Sequence, residues 1–385
     1  MVLSKPQLDS LPNELLYQIL SYLSEDPPSI RQVHEPPSLK ITRSHRRNLK
    51  HLSCTSSRFL KLVRPLLFAH ACFDIEDTEP FLSFVKRSGL SRNVDSIVVL
   101  VRTAYLASKE QLFWWRRVLS DLDPLRITIV AAPTVVGEMA ATKIMDAHSW
   151  AFDIPFQILQ LEQDPRTTSS SSRSSRFTFP DLSACPSFLH ARRWDSLVFN
   201  ESSSLKAYNH YEYFLYHIPS LLDTWGTPST VPPPIESFDP LASLRYLTSF
   251  HYTAVFPFYN HIGVVLDVVE RMMINLQSLT VQLAPGPNNR VIEDEQRGSM
   301  DPNDPWMELS TGYSLIAHTV RDLGAQRTLT TFRSCDYDIE ALRSNLAVVV
   351  DDVLSDSEWL HDGHGTWTRI ERPFQRAGDA SVAQS

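Results

Sequence analysis

The sequence predicts an α/β protein in which a small helical unit at the N-terminus precedes a longer region of alternating helices and strands. Two observations lead to this prediction. Over residues 8–68, apolar side chains recur every three or four positions, which is the period of amphipathic helices. From residue 73 onward, short β-like runs repeatedly follow helix-like stretches, which is typical of a parallel sheet lined by helices.

The first predicted helix follows a Leu-Pro pair near the N-terminus. Ser10 can cap this helix, Pro12 fits its first turn, and Glu14 favours the positive end of the helix dipole. Its apolar stripe consists of Leu11, Leu15, Leu16, Ile19, Leu20 and Leu23. Because so short a helix is not stable alone, other residues must cover part of this stripe.

Two further short helices are predicted within residues 48–68, separated near Thr55 and Ser56, whose hydroxyls can cap the second of them. Their apolar residues, which alternate with Lys and Arg, are Leu49, Leu52, Phe59, Leu62, Val63 and Leu66. Three helices of this kind carry more apolar surface than they can bury among themselves, which indicates a partner site. The alternative is a helical hairpin packed on its own domain.

Residues 1–72 resemble an F-box. That family opens with Leu-Pro, then Glu-Leu-Leu, Ile-Leu and a further Leu, as at residues 11–23, and continues through a Leu-rich helix and a Ser-Arg-Phe turn, as at residues 52–62. The resemblance implies that the unit binds the Skp adaptor of a cullin-based ubiquitin ligase. The residues it implies for this contact are Leu11, Pro12, Glu14, Leu15, Ile19, Leu20, Leu23, Leu52, Phe59 and Leu62.

The chain departs from the F-box pattern at residues 25–47, where the family usually has only a few residues. This segment is rich in Pro, Ser and Arg, so we expect an exposed inserted loop, because long surface insertions cost little free energy. Its basic run, Arg43 to Arg47, is expected to be solvated, with a nuclear-import or acidic-partner patch as the alternative.

Residues 73–374 are predicted to form the partner-binding domain. The predicted strands are 94–101, 125–130, 156–161, 194–199, 247–252, 279–283 and 329–332. The helix-like stretches before them are 80–86, 111–122, 136–150, 187–191, 211–222, 262–274 and 313–323. Residues 275–281 have Leu-x-x-Leu-x-Val spacing, which resembles the degenerate leucine-rich repeats found behind fungal-type F-boxes. The resemblance implies an irregular α/β solenoid; an ordinary α/β domain without repeats is the alternative.

Four segments interrupt this pattern. Residues 164–176 are rich in Ser and Thr, residues 227–234 in Pro, and residues 284–305 in Pro, Asn, Asp and Gly, so each is predicted to be a flexible loop. Residues 375–385 are predicted to be a disordered tail.

Composition narrows the class of partner. A net charge of −8 with a pI near 5.9 gives no electrostatic footprint for nucleic acid. We find no signal-peptide run and no apolar window long enough for a membrane span, so an intracellular, cytoplasmic and/or nuclear protein is expected. The widely spaced Cys54, Cys72, Cys185 and Cys335 indicate reduced thiols rather than a zinc ribbon or disulfide framework.

Motifs for enzymatic chemistry are missing from the sequence. There is no nucleophile elbow, P-loop, zinc-protease motif or dinucleotide fingerprint. His361 and His364 are expected in an exposed turn rather than a metal site, because zinc needs three or four ligands. Residues 114–117 are expected in an amphipathic core helix rather than a nucleic-acid surface. The aromatic residues of 208–217 are expected to be mostly core, although an exposed remainder would suit a protein-recognition surface.

The sequence therefore predicts a non-catalytic substrate receptor, without cofactor or metal, that recruits a protein target to a Skp–cullin–F-box ligase. A scaffold that binds the Skp adaptor without assembling a ligase is the alternative. An enzyme of unrecognised type is a third reading, which no group of residues supports.

Overall fold

The computed structural model combines an N-terminal helical unit with one ten-stranded, mostly parallel sheet, and it confirms the mixed α/β class. The residues that it describes are 8–23, 28–41, 46–104, 106, 108–142, 154–164, 181–226, 242–287, 289–295, 300–326, 328–355 and 357–370.

The helices of the described part are α1 Asn13–Ser21, α2 Pro28–Gln32, α3 Arg47–Ser53, α4 Ser57–Phe68, α5 Thr78–Arg87, α6 Lys109–Leu112, α7 Trp114–Asp121, α8 Pro133–Met139, α9 Tyr211–Phe214, α10 Leu221–Gly226, α11 Tyr259–Met272, α12 Val291–Glu295, α13 Asp304–Ala325 and α14 Glu340–Leu354. The strands are β1 His70–Asp74, β2 Ser96–Leu100, β3 Arg126–Ala131, β4 Gln157–Glu162, β5 Ser196–Ser203, β6 Ser249–Val255, β7 Ser278–Gln282, β8 Thr331–Ser334, β9 Trp359–His361 and β10 Thr366–Arg369.

The order of the strands in the sheet follows the chain from β1 to β8, after which β10 and then β9 complete it. Strands β1 to β3 are parallel, as are β5 to β8, but β4 is antiparallel to both of its neighbours. β10 is also antiparallel to both β8 and β9, so the expectation of a parallel sheet is wrong at β4, β9 and β10. Ala131 at the end of β3 pairs with Gln157 at the start of β4, so the connection returns to the same edge of the sheet instead of crossing over.

Each of the seven predicted strands corresponds to one of β2 to β8, whereas β1, β9 and β10 were not predicted. The predicted domain boundary after residue 72 lies inside β1. The predicted loop 284–305 is wrong in part, because it contains α12 and the start of α13. The predicted helix over 211–222 is divided into α9 and α10 around Pro219, whose missing N–H interrupts the helical hydrogen bonds.

Several predicted segments fall largely or wholly outside the described residues. Residues 165–180 include all of the predicted loop 164–176 except Asp164, residues 227–241 include the predicted Pro-rich loop, and residues 371–385 include the predicted tail. The predicted helix over 136–150 corresponds to α8 only as far as Met139, and residues 143–150 are also outside.

One face of the sheet packs against the helices and forms the main core. The strand residues that point to this side include Ile97, Ile129, Leu159, Phe199, Phe250, Leu279 and Phe332. Trp115, Trp194 and Tyr313 are fully buried among them. Burying each large apolar side chain stabilises the fold by about 1.5–3 kcal/mol, so this face provides most of the hydrophobic stabilisation.

The opposite face of the sheet carries a second apolar cluster, formed by Val98, Leu100, Val130, Ile158 and Val198. Residues 28–41, which lie within the predicted insertion, cover it. Val33 and Ile41 are each only 2% exposed and pack against these strand residues. The expectation of an exposed loop is therefore wrong for this segment. A sheet that is mostly parallel is apolar on both faces, and the inserted residues supply the cover that the helices cannot give.

Polar contacts hold the inserted segment in place. The Asn200 side-chain amide donates hydrogen bonds to the carbonyl oxygens of Val33 and Glu35, at 2.7 and 3.0 Å. The rings of His34 and His251 stack with centroids 4.0 Å apart. Burial lowers the pKa of His34 to about 4 and lowers that of His251 well below its usual value, so both rings are neutral near pH 7.

A buried carboxyl group closes the end of β7. Asp336 Oδ2 accepts hydrogen bonds from the backbone N–H groups of Leu283 and Ala284, at 2.6 and 3.1 Å, and from the Tyr313 hydroxyl at 2.5 Å. Burial nevertheless raises the pKa of Asp336 from 3.8 to about 6, because desolvation outweighs these bonds. The folded protein therefore holds this proton more tightly than the unfolded chain.

This difference predicts a pH-dependent contribution to stability. The stabilisation from the Asp336 proton is complete below pH 3.8 and is lost as the pH rises through about 6. Asp336→Asn keeps an acceptor oxygen but cannot titrate. Between about pH 4.5 and about pH 7.5, the wild type should lose about 2 kcal/mol of its free energy of unfolding through this group. The variant should not show this loss, and urea unfolding at the two pH values measures the difference. The exposed neighbour Asp338→Asn is the control; equal pH profiles for both variants would contradict the assignment.

Candidate partner-binding site

The candidate site is built on three short helices, α1, α3 and α4, which share a small core of their own. Its buried members are Leu16, Leu20, Leu49, Phe59, Leu62 and Val63. The predicted cap of α4 is confirmed, since the Ser56 hydroxyl accepts a hydrogen bond from the Phe59 N–H at 3.2 Å. The predicted cap of α1 is wrong: Pro12 occupies the N-cap position without a side-chain bond, and Ser10 lies in the turn before it.

Helix α1 carries an exposed apolar stripe beside its buried one. Leu15 is 47% exposed, Ile19 40% and Tyr22 80%, at positions i, i+4 and i+7 of one helix face. Leu23 adds a further 39% exposed side chain at the end of the helix. An apolar row that remains accessible next to a well-packed core is the pattern of a protein-binding surface.

A groove of about 350 Å³ continues this surface between α1 and α3. Leu16, Leu20 and Phe59 form its floor. Its other lining residues are Leu8, Ile19, Leu23, Asn48, His51, Leu52 and Thr55. Because the floor and most of the walls are apolar, the groove suits an apolar side chain of a partner better than a polar ligand.

The structure separates the ten residues implied for the adaptor contact into four groups. Pro12, Glu14, Leu15, Ile19 and Leu23 are exposed, whereas Leu11 and Leu52 are half-buried. Leu20 and Phe59 are buried but line the groove, and Leu62 is buried in the helical core. Leu8 and Tyr22 also belong to the exposed surface and were not predicted, although Tyr22 continues the spacing of Leu15 and Ile19.

Arg58 fixes the turn that precedes α1. Its guanidinium donates hydrogen bonds to the Leu11 carbonyl oxygen at 2.7 Å and to Asn13 Oδ1 at 2.7 and 3.1 Å. These bonds join α4 to the Leu-Pro turn across 45 to 47 residues of chain. The sequence placed Arg58 in the Ser-Arg-Phe turn but gave no sign of its partners, so its positioning role was missed.

The helical unit is joined to the sheet at the end of α4. Arg46 Nη1 donates to the carbonyl oxygens of Leu67 and His70, at 2.8 and 3.2 Å, which ties the end of the inserted segment to the junction of α4 and β1. Arg64 Nη2 donates to Ser88 Oγ at 2.7 Å, which links α4 to the residue after α5. Several direct bonds therefore fix α4 relative to the sheet, and α1 packs on α4 through their shared core.

Other residues considered for chemistry have structural roles. His361 stacks on Trp367 at 4.2 Å and accepts a hydrogen bond from the Gly365 N–H, whereas His364 is exposed, so the two do not converge. The described part of the chain contains no group of three residues able to hold a metal ion. Trp114 and Trp115 are buried, which confirms the predicted core helix at residues 114–117.

A buried Glu–His pair is also structural. Glu201 Oε2 accepts hydrogen bonds from the Tyr252 hydroxyl and from His261 Nε2, at 2.6 and 2.9 Å. Both partners of the pair are only 1% exposed, which leaves them out of reach of a dissolved substrate. In the aromatic stretch 208–217, Tyr208 and Phe214 are buried, whereas Tyr216 is 84% exposed.

Comparison with known proteins adds no relative: no protein-family model matches the chain, and neither a curated protein nor a solved structure gives a match. Among the helices that the structure describes, none is long and apolar enough to cross a bilayer.

Arg58 gives a local prediction for the candidate site. Arg58→Ala leaves the Leu11 carbonyl and the Asn13 side chain without these bonds. We expect the local stability of this turn to fall by about 1.4 kcal/mol, so that the backbone amides of residues 11–16 exchange hydrogen about tenfold faster. Hydrogen–deuterium exchange with mass spectrometry measures this. Lys61→Ala, on the exposed face of the same helix, should change nothing; unaltered exchange in Arg58→Ala would refute the positioning role.

Proposed function

We propose that the protein is the substrate-recognition subunit of a Skp–cullin–F-box ubiquitin ligase. In this proposal α1, α3 and α4 form an F-box that binds the Skp adaptor, and the remainder of the chain holds a protein target. The observation that carries it is the exposure of Leu15, Ile19 and Leu23 beside an apolar groove, in the segment whose sequence resembles an F-box. Such a subunit would act in the cytoplasm, the nucleus or both.

The surface of α1 suits a helical partner of moderate size. Leu15, Ile19 and Tyr22 form one row, and the groove beside them offers a floor of Leu16, Leu20 and Phe59. Interfaces of this kind depend on a few apolar anchors at the centre with a polar rim around them. Glu14 and His51 lie at the edge of the surface and would belong to that rim.

The sheet region would serve as an irregular, leucine-rich-repeat-like solenoid that binds the target. Supporting this, strands β5 to β8 are parallel and adjacent in chain order, and α11 and α13 lie between successive strands. The antiparallel β4 and the unequal connections make the proposed repeats irregular. The ligase would gain rate from proximity, because the receptor raises the local concentration of a target lysine and supplies no acid, base or nucleophile.

The proposal predicts that charge on the exposed stripe abolishes adaptor binding. Leu15→Asp and Ile19→Asp place an unpaired carboxylate at the centre of an apolar contact, so we expect at least about tenfold weaker capture of the Skp adaptor in a pull-down. Leu360→Asp makes the same change at a 62% exposed leucine of β9 and should bind normally. A wild-type chain that does not capture the adaptor would rule out the proposal.

Point variants are preferable to removal of the whole F-box. Because residues 28–41 cover the sheet, deleting residues 1–72 would uncover Val98, Val130 and Ile158 and take part of β1 with it. Recovery of cullin with the wild type, together with accumulation of a target in cells that carry Leu15→Asp, distinguishes a ligase subunit from a scaffold that only binds the adaptor.

A further inference from the structure

Exposed aromatic side chains lie where three neighbouring parallel strands end. The connections that follow β5, β6 and β7 contain α9, the start of α11 and the start of α13, all at the same edge of the sheet. The carboxyl ends of parallel strands are the usual place for binding sites in α/β proteins. The aromatic patch, as we name it, consists of five large side chains that are each 38% to 84% exposed: Tyr213, Tyr216, Tyr259, Trp306 and Met307.

Hydrogen bonds between the three connections make the patch one continuous surface. Asn260 Nδ2 donates to the Leu215 carbonyl oxygen at 2.5 Å, which joins the start of α11 to the residue after α9. The Tyr259 N–H and the Tyr211 hydroxyl donate to the two carboxylate oxygens of Glu308, at 2.6 and 2.7 Å, which joins both helices to α13. Each member of the patch lies within two residues of one of these bonds along the chain.

A buried aromatic layer supports the patch from below. The Phe258 ring packs against Tyr208 and Tyr211, with centroids 4.6 and 5.2 Å apart, and Phe256 meets Trp306 edge to face at 4.8 Å. Phe256 and Phe258 are both buried. Tyr and Trp side chains offer a large contact area at a low cost in conformational entropy, and they are enriched among the residues that dominate protein interfaces.

The charges of the segments that build the patch are negative. No Lys or Arg occurs in these segments, which are residues 207–226, 252–270 and 300–320. Glu212 and Asp301 are exposed, so their carboxylates are accessible to a partner. The carboxylates within five residues of a patch member are Glu212, Asp301, Asp304 and Glu308. A cationic partner is therefore attracted to this surface and an anionic one is repelled.

The electrostatic effect of these carboxylates reaches the tyrosines beside the patch. Burial raises the pKa of Tyr211, and the hydrogen bond to Glu308 together with the negative charges of Glu308 and Asp304 raises it further. Lys206, the cation just before this region, has its Nζ 3.9 Å from Glu295 Oε1, so its own charge is offset by that carboxylate. The negative charge at the patch is thus not cancelled by the neighbouring lysine.

We propose that the aromatic patch binds an arginine-bearing segment of the protein target. A guanidinium carries the positive charge that the carboxylates attract, and its flat face stacks on Tyr and Trp rings, whereas a lysine ammonium is more strongly hydrated and has no flat face. The Met307 side chain offers an adaptable apolar contact for the methylene groups of the arginine. The inference rests on the proposed ligase function, because it names the class of target, but the binding itself needs no adaptor.

Calorimetric titration of the full-length protein tests the site. The probe is an acetylated and amidated peptide of three Arg-Gly-Ser repeats, and the same peptide with citrulline in place of arginine is the uncharged isostere. We expect saturable binding of the arginine peptide and at least about tenfold weaker binding of the citrulline peptide. A peptide with lysine in place of arginine should bind more weakly than the arginine peptide, because it keeps the charge but cannot stack.

Variants of the patch separate the contribution of the rings from that of the charges. Tyr216→Ala and Tyr259→Ala should each weaken binding of the arginine peptide about fivefold, whereas Tyr259→Phe keeps the ring and should bind as the wild type does. Tyr17→Ala removes a similarly exposed tyrosine of α1 and is the matched control. Glu212→Gln combined with Asp301→Asn should weaken binding about threefold and reduce its dependence on salt.

Capture of the Skp adaptor by the same variants keeps this inference apart from the proposed function. Tyr259→Ala should capture the adaptor, and Leu15→Asp should bind the arginine peptide. A wild-type chain that captures the adaptor but binds the arginine peptide no better than the citrulline or lysine peptide would overturn the inference alone. Self-association in sedimentation equilibrium that Tyr216→Ala abolishes would assign the patch to a second copy of the chain and also overturn it. Thermal unfolding of each variant establishes that lost binding is not lost folding.

Discussion

The contact between the inserted segment and the apolar face of the sheet is the constraint on which the arrangement of this molecule depends. Val98, Val130 and Ile158 project from the side opposite the helices, and among the described residues Val33, Leu39 and Ile41 of the inserted segment pack against them together with Phe156. A sheet with such a face exposed to water would lose several kcal/mol of hydrophobic stabilisation. Burial of Val33 and Ile41 thus joins the helical unit to the sheet, and what could be a separate module becomes part of the main fold.

This constraint also explains why α1 has two different apolar stripes. Leu16 and Leu20 face α3 and α4, which have enough apolar surface to cover them. Leu15 and Ile19 are on the adjacent face, and the bonds made by Arg46 and Arg64 hold α4 toward the sheet. Because the described chain covers only one side of α1, the remaining stripe is available to another protein.

Buried polar groups in this protein differ in whether their bonds are complete. The Glu201 carboxylate receives bonds from Ser220, Tyr252 and His261, and Asp336 Oδ2 receives three. Such groups specify local packing and offer little to a ligand. The bonding of these two groups is nevertheless incomplete, since Asp336 Oδ1 and His261 Nδ1 are buried without a hydrogen-bond partner in the described part of the chain.

The sequence by itself determined the elements whose signal is local. The strands β2 to β7 are rich in Val, Ile, Leu and Phe, and α5 and α11 have a helical period, so each could be predicted within a few residues, whereas α13 begins at Asp304, well before its predicted start at residue 313. Short β1, β9 and β10 lack this signal. The apolar stripe of α1 was equally visible in the sequence, because each of its members lies within four residues of the next.

Only the tertiary structure decided features that join distant residues. Val33 and Ile41 are single apolar residues in a Pro-rich segment, and nothing local indicates that they reach the sheet. The direction of β4 depends on the edge to which a connection returns, and the role of Arg58 depends on partners about 45 residues away. Sequence periodicity reflects the environments of residues that are close together in the chain. These contacts depend instead on how the complete folded chain buries its apolar surface and pairs its polar groups.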